Sequence, residues 1–166
     1  MTMNVSRSIS ISMLAGLLVL LAGCGLDPVQ PDQEITLQPG QGIAAVVIDS
    51  LDPLNAFYIK SADNDKAPPI KIQHVDVGVH LYIFIVPAGS YCVTRFSSGN
   101  YSITQDDPKH GVCFYVIAGK IAYSGNLAPR GYNGKVYVDQ NYEWSAFQKM
   151  LKDQYPKLAG YPVVTP

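Results

Sequence analysis

Residues 81–96, LYIFIVPAGSYCVTRF, carry the decisive reading. Leu81 to Val86 is apolar throughout, as in a strand covered on both faces. Pro87-Ala88-Gly89-Ser90 has turn chemistry, since proline presets its own backbone angle and glycine accepts conformations other residues avoid. Tyr91 to Phe96 resumes a β-prone run, so the stretch predicts strand, turn and strand. The same rhythm continues on both sides. Upstream, strands are expected at Ile43–Ile48, Ala56–Lys60 and Ile70–Val77, separated by Asp52-Pro53 and by a polar loop over residues 61–69. In the third of these the alternation of Ile70, Ile72, His74 and Val75 is imperfect. Downstream they are expected at Tyr101–Thr104, Val112–Ile117, Ile121–Tyr123 and Lys135–Val138, with turns at Ser97–Asn100, Ala118-Gly119 and Ser124-Gly125-Asn126. About eight short strands at such spacing predict a mainly β, antiparallel β-sandwich.

The period changes near the C-terminus. Within Asn141–Tyr155, apolar side chains recur at Trp144, Phe147, Met150, Leu151 and Tyr155, on one face of an amphipathic helix. Gln140 or Asn141 is placed to cap it, Pro156 to stop it, and residues 158–166 to run extended.

The N-terminus is unlike the rest. Arg7 precedes Ile9–Leu21, which is apolar apart from Ser10, Ser12 and Gly16. The run is short of the ~20 apolar residues a lasting transmembrane helix needs, and matches the apolar core of a secretory signal. Leu21-Ala22-Gly23-Cys24 then resembles the lipobox of bacterial lipoproteins. Residues 1–23 are therefore expected to be a signal peptide, and Cys24 the lipidated first residue of the mature chain. The resemblance implies three acyl chains on Cys24, more than the two signals that suffice for stable anchoring. For a Gram-negative host it also implies the outer membrane, because residue 25 is glycine rather than the aspartate that retains such proteins at the inner membrane. Residues 24–42, with three prolines and four glutamines after Cys24, are expected to be a flexible tether reaching roughly 25 Å. Residues 43–166 would be the folded domain.

Charge excludes one class of partner. The whole chain has 12 Lys+Arg and 13 Asp+Glu; removing residues 1–23 takes away Arg7 alone and leaves 143 residues with a net charge of −2. No basic cluster suits nucleic acid. The expected partners are the membrane, through the lipid, and an envelope protein or cell-wall component. Of three cysteines, Cys24 is assigned to lipid, and Cys92 with Cys113 form an even pair suited to a disulfide in an oxidising compartment.

Two runs resemble small β-sandwich bacterial lipoproteins of uncharacterised function. One is Val86-Pro87-Ala88-Gly89-Ser90-Tyr91-Cys92-Val93. The other is Phe114-Tyr115-Val116-Ile117-Ala118-Gly119-Lys120-Ile121-Ala122-Tyr123-Ser124-Gly125-Asn126-Leu127. The first carries a Pro-x-Gly-x-Tyr turn and the second a Gly-Lys-x-x-Tyr-x-Gly-Asn hairpin. The resemblance spans about Ala45 to Leu127. It implies a prealbumin-like or carboxypeptidase-regulatory-like sandwich and supplies no catalytic residues.

Candidate chemistry is sparse. His74, Asp76 and His80 are the one local group of metal-ligand types, and an open site of two imidazoles and a carboxylate would suit a zinc hydrolase. Their spacing fits solvent-facing positions on an amphipathic strand better, and no metal or other cofactor is expected. Asp63-Asn64-Asp65 lacks the spaced carboxylates and closing glutamate of a calcium loop. Ser98 and Ser124 lie in Ser-Gly-Asn turns, not in a G-x-S-x-G elbow. Tyr101, Tyr115, Tyr123, Tyr132 and Tyr137 cluster on the late strands and could supply aromatic anchors for a partner, with Tyr123 and Tyr132 the first choices. The residues thus favour a non-catalytic binding or structural module facing the periplasm. An inhibitor or immunity lipoprotein against a toxin enzyme, and a metal-dependent hydrolase using His74 and His80, are the alternatives.

Overall fold

The structure, a computed structural model, describes residues 25–104, 111–132 and 135–164. Among the described residues ten strands run in chain order: β1 (Gln41–Ser50), β2 (Leu54–Ser61), β3 (Ile70–Val75), β4 (Gly78–Pro87), β5 (Gly89–Ser98), β6 (Tyr101–Thr104), β7 (Cys113–Val116), β8 (Ile121–Tyr132), β9 (Lys135–Asn141) and β10 (Val163–Val164). The helix α1 (Trp144–Gln154) and a single 3-10 turn (Pro156–Leu158) precede β10. The first sheet has the order β10-β8-β1-β4, with β9 on β8, and the second β3-β2-β5-β6, with β7 on β5. The expected β-sandwich with one C-terminal helix is therefore present. The first sheet is mixed, because β1 and β10 both run parallel to β8.

The two sheets enclose one core. Ala44, Val46, Ile48, Phe84 and Val86 of the first sheet meet Phe57, Ile59, Ile70, Tyr91 and Phe96 of the second. A second core covers the other face of the first sheet, where Ile43, Ala45, Val47, Ile83, Ile121 and Tyr123 pack under Phe147, Leu151, Tyr155 and Leu158. This double burial explains the unbroken apolar run Ile43–Ile48, every residue of which is fully buried. Alternation would leave half of them in water, and a central strand covered on both sides has no polar face to show.

Four expectations need correction. Residues 26–37 are not a free tether but a strap across the sandwich. Leu26 bridges to Ile70 and its N–H reaches the Pro69 carbonyl at 3.1 Å. The Val29 N–H reaches the Ile83 carbonyl at 2.7 Å with the Val29 side chain buried. Ile35 and Leu37 then pack on the second core, and Lys157 pairs with Glu34 at 2.7 Å. Prolines and glutamines suggested disorder, yet four apolar residues spaced among them find uncovered edges to bury.

Ser124-Gly125-Asn126 is not a turn ending a strand. It is a bulge inside β8, where the pairing with β1 slips between Ala45 and Val47. Gly125 takes φ +74°, and a Cβ there would come within 3.0 Å of the Asn141 carbonyl. The positive φ that glycine supplies serves the bulge as well as it would a turn. The helix begins at Trp144, with Glu143 at the cap position, not at Gln140 or Asn141. Those two residues are held in β9, opposite Leu127 and Asn126 of β8. The tail is not simply extended, since it forms the 3-10 turn and β10.

His74 explains the imperfect β3 pattern. Strand alternation after Ile70 and Ile72 would turn His74 inward. Instead it adopts φ +53° and is exposed, so that Val75 is buried in its place. A left-handed backbone at a non-glycine residue costs on the order of 1 kcal/mol, less than leaving an imidazole without partners in an apolar core.

Candidate functional site

Cys24 lies outside the described residues. The chain immediately after it is firmly placed: a Cβ on Gly25 would come within 2.8 Å of the Lys71 Cβ. Cys92 on β5 and Cys113 on β7 occupy facing positions and are joined by a disulfide, with Cα atoms 4.1 Å apart.

Tyr123, expected as a surface anchor, is only 3% exposed. Its ring stacks on Phe147 with centroids 4.1 Å apart and planes at 2°, and meets Tyr142 edge-on. Its hydroxyl donates to Asn126 Oδ1. Burial raises its pKa above the ordinary tyrosine range, and the nearby Glu143 and Tyr142 charges add to this against a backbone hydrogen bond from Glu143. The reason for the misplacement is that α1 closes over the β8 face on which Tyr123 sits. The Tyr132 side chain lies outside the described residues.

The bulge around Tyr123 forms a buried polar knot. Ser124 Oγ accepts the Val47 N–H at 3.2 Å, which the slipped register would otherwise leave unpaired. Gln140 Nε2 donates to the Ser124 carbonyl at 2.6 Å. Every member is a hydrogen-bond partner for the backbone or for a neighbour, an arrangement that fixes the register of β8 rather than activating a nucleophile. Ser98, the last residue of β5, donates to the Pro53 carbonyl at 2.8 Å.

The other tyrosines do not form one patch. Tyr101, Tyr115 and Tyr137 are 77%, 61% and 47% exposed. Tyr115 stands opposite Ser90 and Tyr101 opposite Ser98, and eight residues of strand separate those positions by about 26 Å. Tyr137 instead borders a cleft of about 140 Å³ at the open edge between the sheets. Val93, Phe96, Ile103 and Val138 line it, with Arg95 beside them.

His74 and His80 do not converge with a third ligand. His74 lies near the end of β3 in the second sheet, whereas His80 lies in the first, with its Nε2 3.4 Å from the Val77 carbonyl. Among the described residues no group of three histidine, cysteine, aspartate or glutamate side chains is placed to hold a metal ion. The loop Asp63-Asn64-Asp65 is occupied with its own backbone. Asp63 Oδ2 accepts the Ser90 N–H at 2.6 Å, and a Cβ at Gly89 would come within 2.8 Å of that oxygen. Asn64 Oδ1 accepts the Lys66 N–H at 3.1 Å.

One feature escaped the sequence reading. The outward positions of the second sheet gather Lys60, Lys71 and Arg95 around Tyr58, with the Arg95 guanidinium 4.3 Å and the Lys71 ammonium 5.7 Å from the ring centroid. The three cations are scattered over 36 positions of sequence, and only the pairing of β3 and β5 on either side of β2 assembles them. No protein-family model, curated protein or solved structure matches the chain. Among the described residues no helix is long and apolar enough to cross a membrane.

Proposed function

We propose that this chain is an envelope lipoprotein: Cys24 carries the lipid, and the sandwich is a non-catalytic binding or structural module held on the periplasmic side of the outer membrane. The observation that carries the reading is the division of the cysteines. Cys92 and Cys113 are joined to each other, so Cys24 is the one cysteine of three left over, and it closes the lipobox-like Leu21-Ala22-Gly23-Cys24. A disulfide between facing strands suits an exported protein, and a signal peptide supplies the export. The resemblance to small β-sandwich lipoproteins points the same way. Polar residues of catalytic type have structural partners: Ser124 and Asn126 in the β8 bulge, Asp63 on the Ser90 N–H.

Metabolic labelling with a fatty-acid analogue, followed by membrane fractionation, tests the proposal. The wild-type chain should carry label and pellet with the membranes. The Cys24→Ser variant should lose the label and leave the membrane fraction. A wild-type chain that takes up no label refutes the reading.

A further inference from the structure

The five strands of the second sheet contain Lys60, Lys71 and Arg95 and no aspartate or glutamate. Phe57, Ile59, Ile70, Ile72, Val93 and Phe96 point into the core, so the cations occupy the opposite, outward face with Tyr58 between them. Tyr115, 61% exposed, stands on the same face. The carboxylates nearest the strands in sequence, Asp52, Asp63, Asp65 and Asp76, lie outside them, and Asp63 is already bonded to the Ser90 N–H; Asp106 and Asp107, after β6, lie outside the described residues. A chain with a slight negative net charge thus presents one broad face on which the strand residues carry only positive charge. Tyrosine rings favour a membrane interface, where one end is apolar and the other wet.

The second observation is the position of Gly25, the residue next to Cys24 in the chain. Gly25 packs against Lys71, and Leu26 and Val29 are hydrogen-bonded to Pro69 and Ile83. Consecutive Cα atoms are about 3.8 Å apart, so the placed Gly25 beside Lys71 is one residue step from the proposed lipid attachment. The helix α1 lies on the far side of the molecule, against the outer face of the first sheet. An anchor at this point lets the outward face of the second sheet lie against the bilayer, with Lys71 nearest the anchor and Lys60 and Arg95 one and two strand spacings of about 4.8 Å further on; groups within about 8 Å of the charged surface feel it at physiological salt.

Resting on the lipid anchor proposed above, we infer that the outer face of the second sheet is a membrane-docking surface. Lys60, Lys71 and Arg95 engage the anionic phospholipid headgroups of the bilayer that holds Cys24. The helix α1 is turned away from the membrane, toward the compartment in which a partner would be met. Three cations near an anionic surface raise partitioning by about a hundredfold.

The test supplies the anchor chemically, so that it does not depend on acylation in the cell. A chain of residues 24–166 is coupled through its Cys24 thiol, the one cysteine outside the disulfide, to a maleimide lipid in phosphatidylcholine vesicles with or without phosphatidylglycerol. Amine labelling read by mass spectrometry should slow several-fold at Lys60 and Lys71 when phosphatidylglycerol is present, and remain unchanged at Lys149 and Lys152 of α1. In a second arm, the uncoupled Cys24→Ser chain should sediment with phosphatidylglycerol vesicles at low salt. The triple change Lys60→Glu, Lys71→Glu, Arg95→Glu removes three attracted charges and adds three repelled ones, so it should weaken that binding by at least about a hundredfold. Equal labelling of the two faces, protection of α1 instead, or binding indifferent to charge reversal would each overturn the inference. The mass of the N-terminal peptide from cells, acylated or not, decides the anchor separately.

Discussion

The two sheets of this sandwich are built from similar strands yet live in different surroundings. The first is covered on both faces, by the second sheet on one side and by α1, the strap and the 3-10 turn on the other. The second has one dry face and one wet face. The contrast is visible in single strands: β1 is buried at every residue from Gly42 to Ile48, while β3 reads buried, half-buried, buried, exposed over Ile70–Gln73. Burial on two faces makes a strand costly to alter anywhere. Burial on one face leaves every second position free for surface chemistry, and that is where the cations gather.

The largest effect should therefore come from uncovering the first sheet. Phe147 is fully buried and stacked on Tyr123. Phe147→Ala should cost about 3–5 kcal/mol in chemical denaturation, the transfer and cavity terms together. A loss under 1 kcal/mol would mean that α1 is peripheral to the stability of the sheet and the contrast between the sheets overstated. In the second sheet the largest single contribution should be covalent. The Cys92–Cys113 bridge spans 21 positions and should be worth about 3 kcal/mol by constraining the unfolded chain. The pair Cys92→Ala with Cys113→Ala, or reduction, should show that loss. Unchanged stability would leave the second sheet held by its one core face alone.

How much of this was legible in advance differs between the sheets for physical reasons. The succession of strands along the chain is largely readable where local chemistry punctuates it, at Asp52-Pro53, Pro87-Ala88-Gly89, Ser98-Gly99-Asn100 and Ala118-Gly119, but their order within the sheets is not. The face pattern of β3 was readable up to His74, where a positive φ reverses it. The strap was misread because composition reports average solubility, whereas docking depends on where Leu26, Val29, Ile35 and Leu37 happen to land. Tyr123 was misassigned because nothing local reveals that a helix 20 residues later will cover it. The cationic face was missed altogether, since it exists only once β3, β2 and β5 lie side by side. The disulfide partners were readable from parity alone.

A smaller effect separates the sheets by pH. Burial raises the pKa of Tyr123 and Tyr155 in the first sheet's outer core and of Tyr91 between the sheets. A group whose folded pKa lies above its unfolded value of about 10 binds its proton more tightly in the native state. Its stabilisation is complete below pH 10 and is lost as the pH rises through the folded value. Stability should therefore fall above about pH 10. Tyr123→Phe should flatten part of that fall, and at neutral pH should cost about 1–2 kcal/mol because Asn126, 2% exposed, loses its donor. An alkaline slope identical in the variant would mean that Tyr123 titrates as an ordinary surface phenol.

The smallest effect is expected on the open face, and its smallness is the point. Lys60 is exposed and Lys71 half-buried, with its ammonium beside the Tyr58 ring. Lys60→Gln and Lys71→Gln remove charge while keeping much of the side-chain length. Away from caps, cavities and buried pairs, such surface changes alter stability by under about 0.5 kcal/mol each. Urea midpoints within that range would show that the fold does not depend on these cations, so a change in vesicle binding could not be blamed on unfolding. A loss of 2 kcal/mol or more would mean the opposite: that the cations brace the sheet through Tyr58, and that their one-sided distribution has a structural cause. The contrast between the sheets would then narrow, because the wet face of the second would be as constrained as the covered face of the first.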